Sequence, residues 1–107
     1  MKHTVTARSS GVVLASGSEG ETVRLFEGNL YYAPEAVQMA HLRVTERTYT
    51  CPYKGTCYWI DLENGTEHAT NIGWVYNDPK HGYEFIRGQI AFYNRDTAGT
   101  QAKHDAE

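Results

Sequence analysis

A chain of 107 residues is enough for one hydrophobic core and not for two, so any site it carries is built on a single body. Hydrophobic residues at 40% and charged residues at 21% suit a globular domain, while a net charge of −3, with Lys and Arg scattered along the chain, leaves no basic footprint for nucleic acid or an anionic membrane. No apolar run reaches the length of a membrane span, and Met1 to Thr6 lacks the apolar block of a secretion signal, so the expected location is the cytoplasm.

Val12 to Ser16 is β-branched and aliphatic, and Thr22 to Phe26 alternates Val23 and Leu25 with polar neighbours, the period of half-buried strands. Gly28-Asn29 then suits a tight hairpin into Leu30-Tyr31-Tyr32, so the simplest expectation is a three-stranded meander. Pro34 and Glu35 predict a short helix ending near His41, with proline preset for the first turn and the carboxylate at the positive end of the dipole. Arg47 to Cys51 reads as a strand with Tyr49 and Cys51 on one face, broken by Pro52 and turned at Gly55.

Thr56 to Glu63 alternates cleanly. Tyr58, Ile60 and Leu62 form the expected core face, with Cys57, Trp59 and Asp61 on the wetter one. Asn64-Gly65 is a strong hairpin signal, so a returning strand carrying Ile72, Trp74 and Tyr76 should pair back along Cys57 to Glu63. Asp78-Pro79 predicts a capped short helix closing at Gly88, and Gln89 to Tyr93 a last strand. Beyond Asn94 no aliphatic side chain exceeds alanine, so a compact unit over residues 1–96 and a disordered tail over 97–107 are expected.

The stretch Thr50 to Trp59 gathers both cysteines, Lys54, two tyrosines and a tryptophan. The ordinary role of a cysteine such as Cys51 is to pack as a small hydrophobe. The chemical alternative is a thiolate stabilised by Lys54 across a tight turn. Lys54 is either a solvated loop lysine or an anchor for an anion or carbonyl, with Gly55 allowing close approach to the backbone and Tyr53 beside it. Trp59 and Trp74 would usually be core, but Trp59 shares a strand face with Cys57 and Asp61, and Tyr76 and Tyr93 can join it as hydrogen-bonding aromatics. Cys51 and Cys57 at a C-x5-C spacing, and five dispersed histidines, match no common metal pattern, so no metal is expected and both thiols are expected reduced. There is no phosphate-binding glycine loop and no Gly-x-Ser-x-Gly elbow.

The order of Glu27-Gly28-Asn29-Leu30-Tyr31-Tyr32, Thr50-Cys51-Pro52-Tyr53-Lys54-Gly55 with Tyr58-Trp59, Trp74 to Pro79 and Ile86 to Tyr93 resembles the bacterial domain-of-unknown-function family 427 over roughly residues 10 to 93. The resemblance implies a mainly β, α+β fold: a single Mss4-like β-tent of two antiparallel sheets with short helices at its edges. Other proteins of that fold bind zinc on paired cysteine knuckles. This chain has Cys51 alone at the matching motif, so the metal role is not carried over. Some members of the family look like haem proteins, with histidines near the Gly-Asn turn and the Asp-Pro motif; those neighbourhoods here hold Leu30 and Asp78, with His81 the nearby imidazole.

Together these readings predict a small-molecule binding or sensing domain, monomeric or homodimeric, with a site formed by Tyr53, Lys54, Gly55, Trp59, Trp74 and Tyr76. Lys54 and Trp59 should share its cavity. The alternatives are an enzyme using Cys51 as nucleophile or redox centre with Lys54 as its electrostatic partner, and a haem-binding or protein-interaction module.

Overall fold

In the computed structural model, which describes residues 1–107, the chain forms nine strands: β1 (Lys2–Ala7), β2 (Val13–Ser18), β3 (Val23–Phe26), β4 (Asn29–Tyr32), β5 (Leu42–Cys51), β6 (Gly55–Asn64), β7 (Glu67–Val75), β8 (Ile90–Tyr93) and β9 (Thr100–Asp105). They make two sheets, one of order β2-β1-β9 and one of order β3-β4-β8-β7-β6-β5, with every pairing antiparallel. The larger sheet turns one face to the smaller. There Leu30, Tyr32, Ile60, Leu62 and Phe92 meet Val5, Ala7, Leu14 and Ala15, all with no measurable exposure. The buried Tyr32 hydroxyl is not left without a partner, since it donates to the His3 carbonyl oxygen at 2.9 Å.

Alternation places β6 as read: Ile60 and Leu62 are core residues, and Asn64-Gly65 turns the chain back so that Asn64 pairs with Glu67. Gly65 sits at φ 61°, the left-handed region that side chains resist. The strand over Ile90–Tyr93 is also present, with Ile90 and Phe92 inward. Two breaks in register lie side by side. Between Ile60 and Leu62, Asp61 faces the span Thr70 to Ile72 of β7, and β5 slips between Val44 and Thr48. Asp61, 4% exposed, closes this gap by accepting from the Asn71 amide at 2.9 Å and from the Arg47 guanidinium. Asn71 takes φ 54° to present that amide.

Three expectations are corrected. The meander is only a hairpin: β3 pairs with β4, but β2 pairs with β1 in the other sheet, because Lys2–Ala7 is itself a strand. Neither helix forms an α turn. Pro34–Ala36, Met39–His41 and Glu84–Ile86 are single 3-10 turns without side-chain caps, and the Asp78 carboxylate lies 3.7 Å from Arg87 instead of capping. Such short segments cannot repay helix nucleation.

The tail is ordered as β9. Thr100 is fully buried opposite Ala7, Ala102 pairs with Val5, and His104 Nδ1 lies 2.6 Å from the Nδ1 of buried His3, whose Nε2 is 2.8 Å from Glu19. A backbone ladder and one buried threonine supply what the missing aliphatics do not. No helix is long and apolar enough to cross a membrane.

Candidate functional site, an aromatic cup on the outer sheet face

Residues directly opposite in antiparallel strands share a face, so register alone assembles the outer face of the larger sheet. Tyr49 opposes Cys57, Trp59 opposes Trp74, Trp74 opposes Ala91, and Ala91 opposes Tyr31. Alternation adds Cys51, Tyr76 and Tyr93 to the same face. The small Ala91 leaves space between its large neighbours. A second buried cluster, of Tyr31, Cys57, Trp74, Tyr76, Ile86 and Ala91, lies on this side, with Phe26 and Tyr83 packed at its margin.

The result is a concavity of about 200 Å3 lined by Tyr49, Cys57, Trp59, Trp74, Tyr76 and Tyr93. Cys57, Trp74 and Tyr76 are buried, Trp59 and Tyr93 are half-buried, and Tyr49 is 54% exposed at the rim. Steep angles turn the rings around one space: Trp59 and Trp74 lie 6.0 Å apart at 75°, Trp74 and Tyr93 5.0 Å apart at 64°, and Tyr49 and Trp59 6.4 Å apart at 53°. The Trp74 indole N–H donates to the Tyr31 hydroxyl at 3.1 Å, which fixes the ring and uses its only donor. Burial pushes the Tyr76 hydroxyl and the Cys57 thiol up, keeping both neutral near pH 7. Three other clefts are larger, at about 340, 470 and 630 Å3, but charged and polar groups line much of each. The cup has an entirely aromatic and thiol lining.

The structure therefore brings Trp59, Trp74 and Tyr76 together but not the Cys51–Gly55 loop with them. Lys54 does not line the cup; its ammonium pairs with Glu27 on the β3–β4 hairpin. Burial would lower the Lys54 pKa, but the Glu27 carboxylate outweighs it and holds the lysine charged. Tyr53 is 72% exposed. Gly55, at φ 106°, lets the 78–80 segment approach, where the Lys80 amide donates to the Lys54 carbonyl at 2.8 Å and its ammonium to the Pro52 carbonyl at 3.0 Å. The shared cavity expected for Lys54 and Trp59 fails because Glu27, distant in sequence, draws the lysine aside.

Cys51 and Cys57 are free and buried. The Cys51 thiol lies below the ordinary cysteine range. Hydrogen bonding from the Lys54 amide is the largest cause; burial opposes it, and the Tyr53 amide and Lys54 ammonium add to it. No three His, Cys, Asp or Glu side chains group as a metal site. A haem does not fit these residues: His81, the imidazole near the Asp78 motif, stands fully exposed 3.2 Å from Glu84 and lines none of the four clefts. Tyr93 is named from the sequence as a hydrogen-bonding companion of Trp59, and Tyr49 only as a face-mate of Cys51, while nothing local marks Tyr31 as the partner of Trp74.

Two antiparallel sheets leaning together define an Mss4-like β-tent. The crystal structure of the Mis18 "Yippee-like" domain matches with a TM-score of 0.68 over 100% of both chains at 12% identity, a likeness of fold. The chain itself belongs to the family described as Domain of unknown function (DUF427), which it matches over residues 1–103. No curated protein sequence matches it.

Proposed function

We propose that this domain binds a small organic molecule in the aromatic cup and acts as a binding or sensing module. The observation that carries the reading is the outer face itself, where two tryptophans and three tyrosines converge on one concavity that no other element covers. The ring faces of the cup offer a ligand apolar burial worth about 25 cal/mol for each Å2 removed from water. An association cost of at least about 4 kcal/mol offsets what so small a concavity gains by burial, so the ligand must add a further attraction. The Cys51–Gly55 loop would act at one remove, tying the β5–β6 turn to the 78–80 segment beside the cup. The expected setting is cytoplasmic, as a monomer or homodimer, without nucleic acid or membrane.

The test is tryptophan fluorescence against a set of small aromatic, amide and ammonium fragments, with Trp59→Ala as control. Wild type should respond saturably and Trp59→Ala should lose at least tenfold in affinity while staying folded, at a cost of about 1–2 kcal/mol. Equal binding by the variant, or no response to any fragment, would overturn the reading.

Cys51 favours a second reading, an enzyme with this thiol as nucleophile or redox centre and Lys54 as its electrostatic partner. Its support is the lowered thiol pKa beside an ammonium. The rate of alkylation by iodoacetamide should then rise with a midpoint below that of a peptide cysteine and vanish in Cys51→Ser. A midpoint at the peptide value removes this reading.

A further inference from the structure

We infer that the occupant of the cup is a methylated ammonium group, an inference that rests on the binding role proposed above. A ligand that needs several directional hydrogen bonds finds few here, where the Trp59 indole N–H and the tyrosine hydroxyls are the side-chain groups left. The Trp74 N–H is already given to Tyr31, and the cup residues on β5 to β8 belong to the sheet ladder, which takes up their main-chain groups. No charged side chain lines the cavity, so an anion has no counter-charge either. A buried heterocycle or carboxylate would keep unpaired polar atoms at a cost of about 1–3 kcal/mol each. A methylated ammonium asks for none of this: its methyl groups bury as hydrocarbon and its charge is met by ring faces, an attraction of about 2 kcal/mol or more once desolvated.

The geometry suits that demand. Rings at 53° to 75° to one another surround a single space of about 200 Å3, enough for a trimethylammonium head. The Arg95 guanidinium carbon lies 4.7 Å from the Tyr93 ring centroid, so that ring is already engaged by a cation and Trp59, Trp74 and Tyr49 are the faces left for a second. The nearby Lys54 charge, which would repel a cation, is matched by Glu27. Cation–π attraction supplies what area alone lacks, a gain of about thirtyfold in affinity.

The experiment titrates the full chain with tetramethylammonium chloride and with the neutral isostere tert-butanol at matched ionic strength, reading tryptophan fluorescence and indole NMR shifts. Tetramethylammonium should bind at least tenfold more tightly than tert-butanol, with Trp59→Ala losing that preference and Trp59→Phe retaining part of it. Equal affinity for the two probes would overturn the inference while leaving the binding role intact, as would binding of neutral planar fragments alone. Silence toward every probe would sink both. A trimethyl-lysine peptide, compared with its unmethylated form and with choline, separates the two sources of such a group: preference for the methylated peptide points to a protein tail, and equal or tighter binding of choline to a free small molecule.

Discussion

The two faces of the six-stranded sheet are built by the same strands yet resolve burial in opposite ways. The inner face is mainly aliphatic, with Tyr32 and Phe92 among it, and it is buried against the smaller sheet. The outer face uses the largest side chains in the chain and has only the 3-10 turn at Glu84–Ile86 and neighbouring loops for cover. Size substitutes for a second layer there, but only in part, so the aromatic rings bury one another and still leave a concavity. Completeness of cover, not hydrophobicity, separates core from site.

The largest effect should come from breaking the inner face. Phe92 is fully buried, edge-on to Tyr32 at 5.8 Å and close over Gly73, where an added Cβ would already meet the Ala91 carbonyl at 2.5 Å. Phe92→Ala should cost about 3–5 kcal/mol in urea denaturation, well above the loss at Trp59 on the other face. A loss no greater than that at Trp59 would mean the two faces do not differ as described.

Next comes the joint between them. Asp61→Ala leaves the Asn71 amide and the Arg47 guanidinium without their acceptor and should cost about 1–3 kcal/mol at pH 7. Burial pushes the Asp61 carboxyl up, but hydrogen bonds from Arg47 and Asn71 and the Arg47 charge outweigh it, so its folded pKa lies below the ordinary value. The stabilisation is therefore complete above the unfolded carboxylate pKa of about 4 and is lost as pH falls through the depressed folded value. The gap between wild type and Asp61→Ala should be flat from neutral pH to about 5 and narrow below about 4. A gap that widens on acidification would assign the opposite sign.

The smallest effect is at the hairpin that sets the register of both faces. Gly65→Val forces a β-branched residue to φ 61° and should cost about 1 kcal/mol, read as a lowered denaturation midpoint. An unchanged midpoint would mean that the turn is not constrained.

What could be read in the sequence follows from these same faces. Strict alternation from Thr56 to Glu63 and the Asn64-Gly65 turn gave β6 and its return, and with them Trp59 and Trp74 as face-mates, because period and turn chemistry are local. The strands β1 and β9 were not legible: Lys2–Ala7 and Thr100–Asp105 carry few large apolar residues and are held by pairing with each other across the length of the chain. The helical signals at Pro34 and Asp78 were genuine local preferences in segments too short to act on them. Lys54 was misplaced for a related reason, since its partner Glu27 is brought near only when β3 and β4 join the sheet.

The register slip in β5 bears on how these molecules meet in solution. This ten-residue strand is the last of its sheet, and its free margin could template the strand of another molecule. The slip between Val44 and Thr48 interrupts that margin near its middle, where Arg43, Glu46 and Arg47 place charge of both signs. A second chain could zip along only a few residues of this edge before losing its hydrogen bonds.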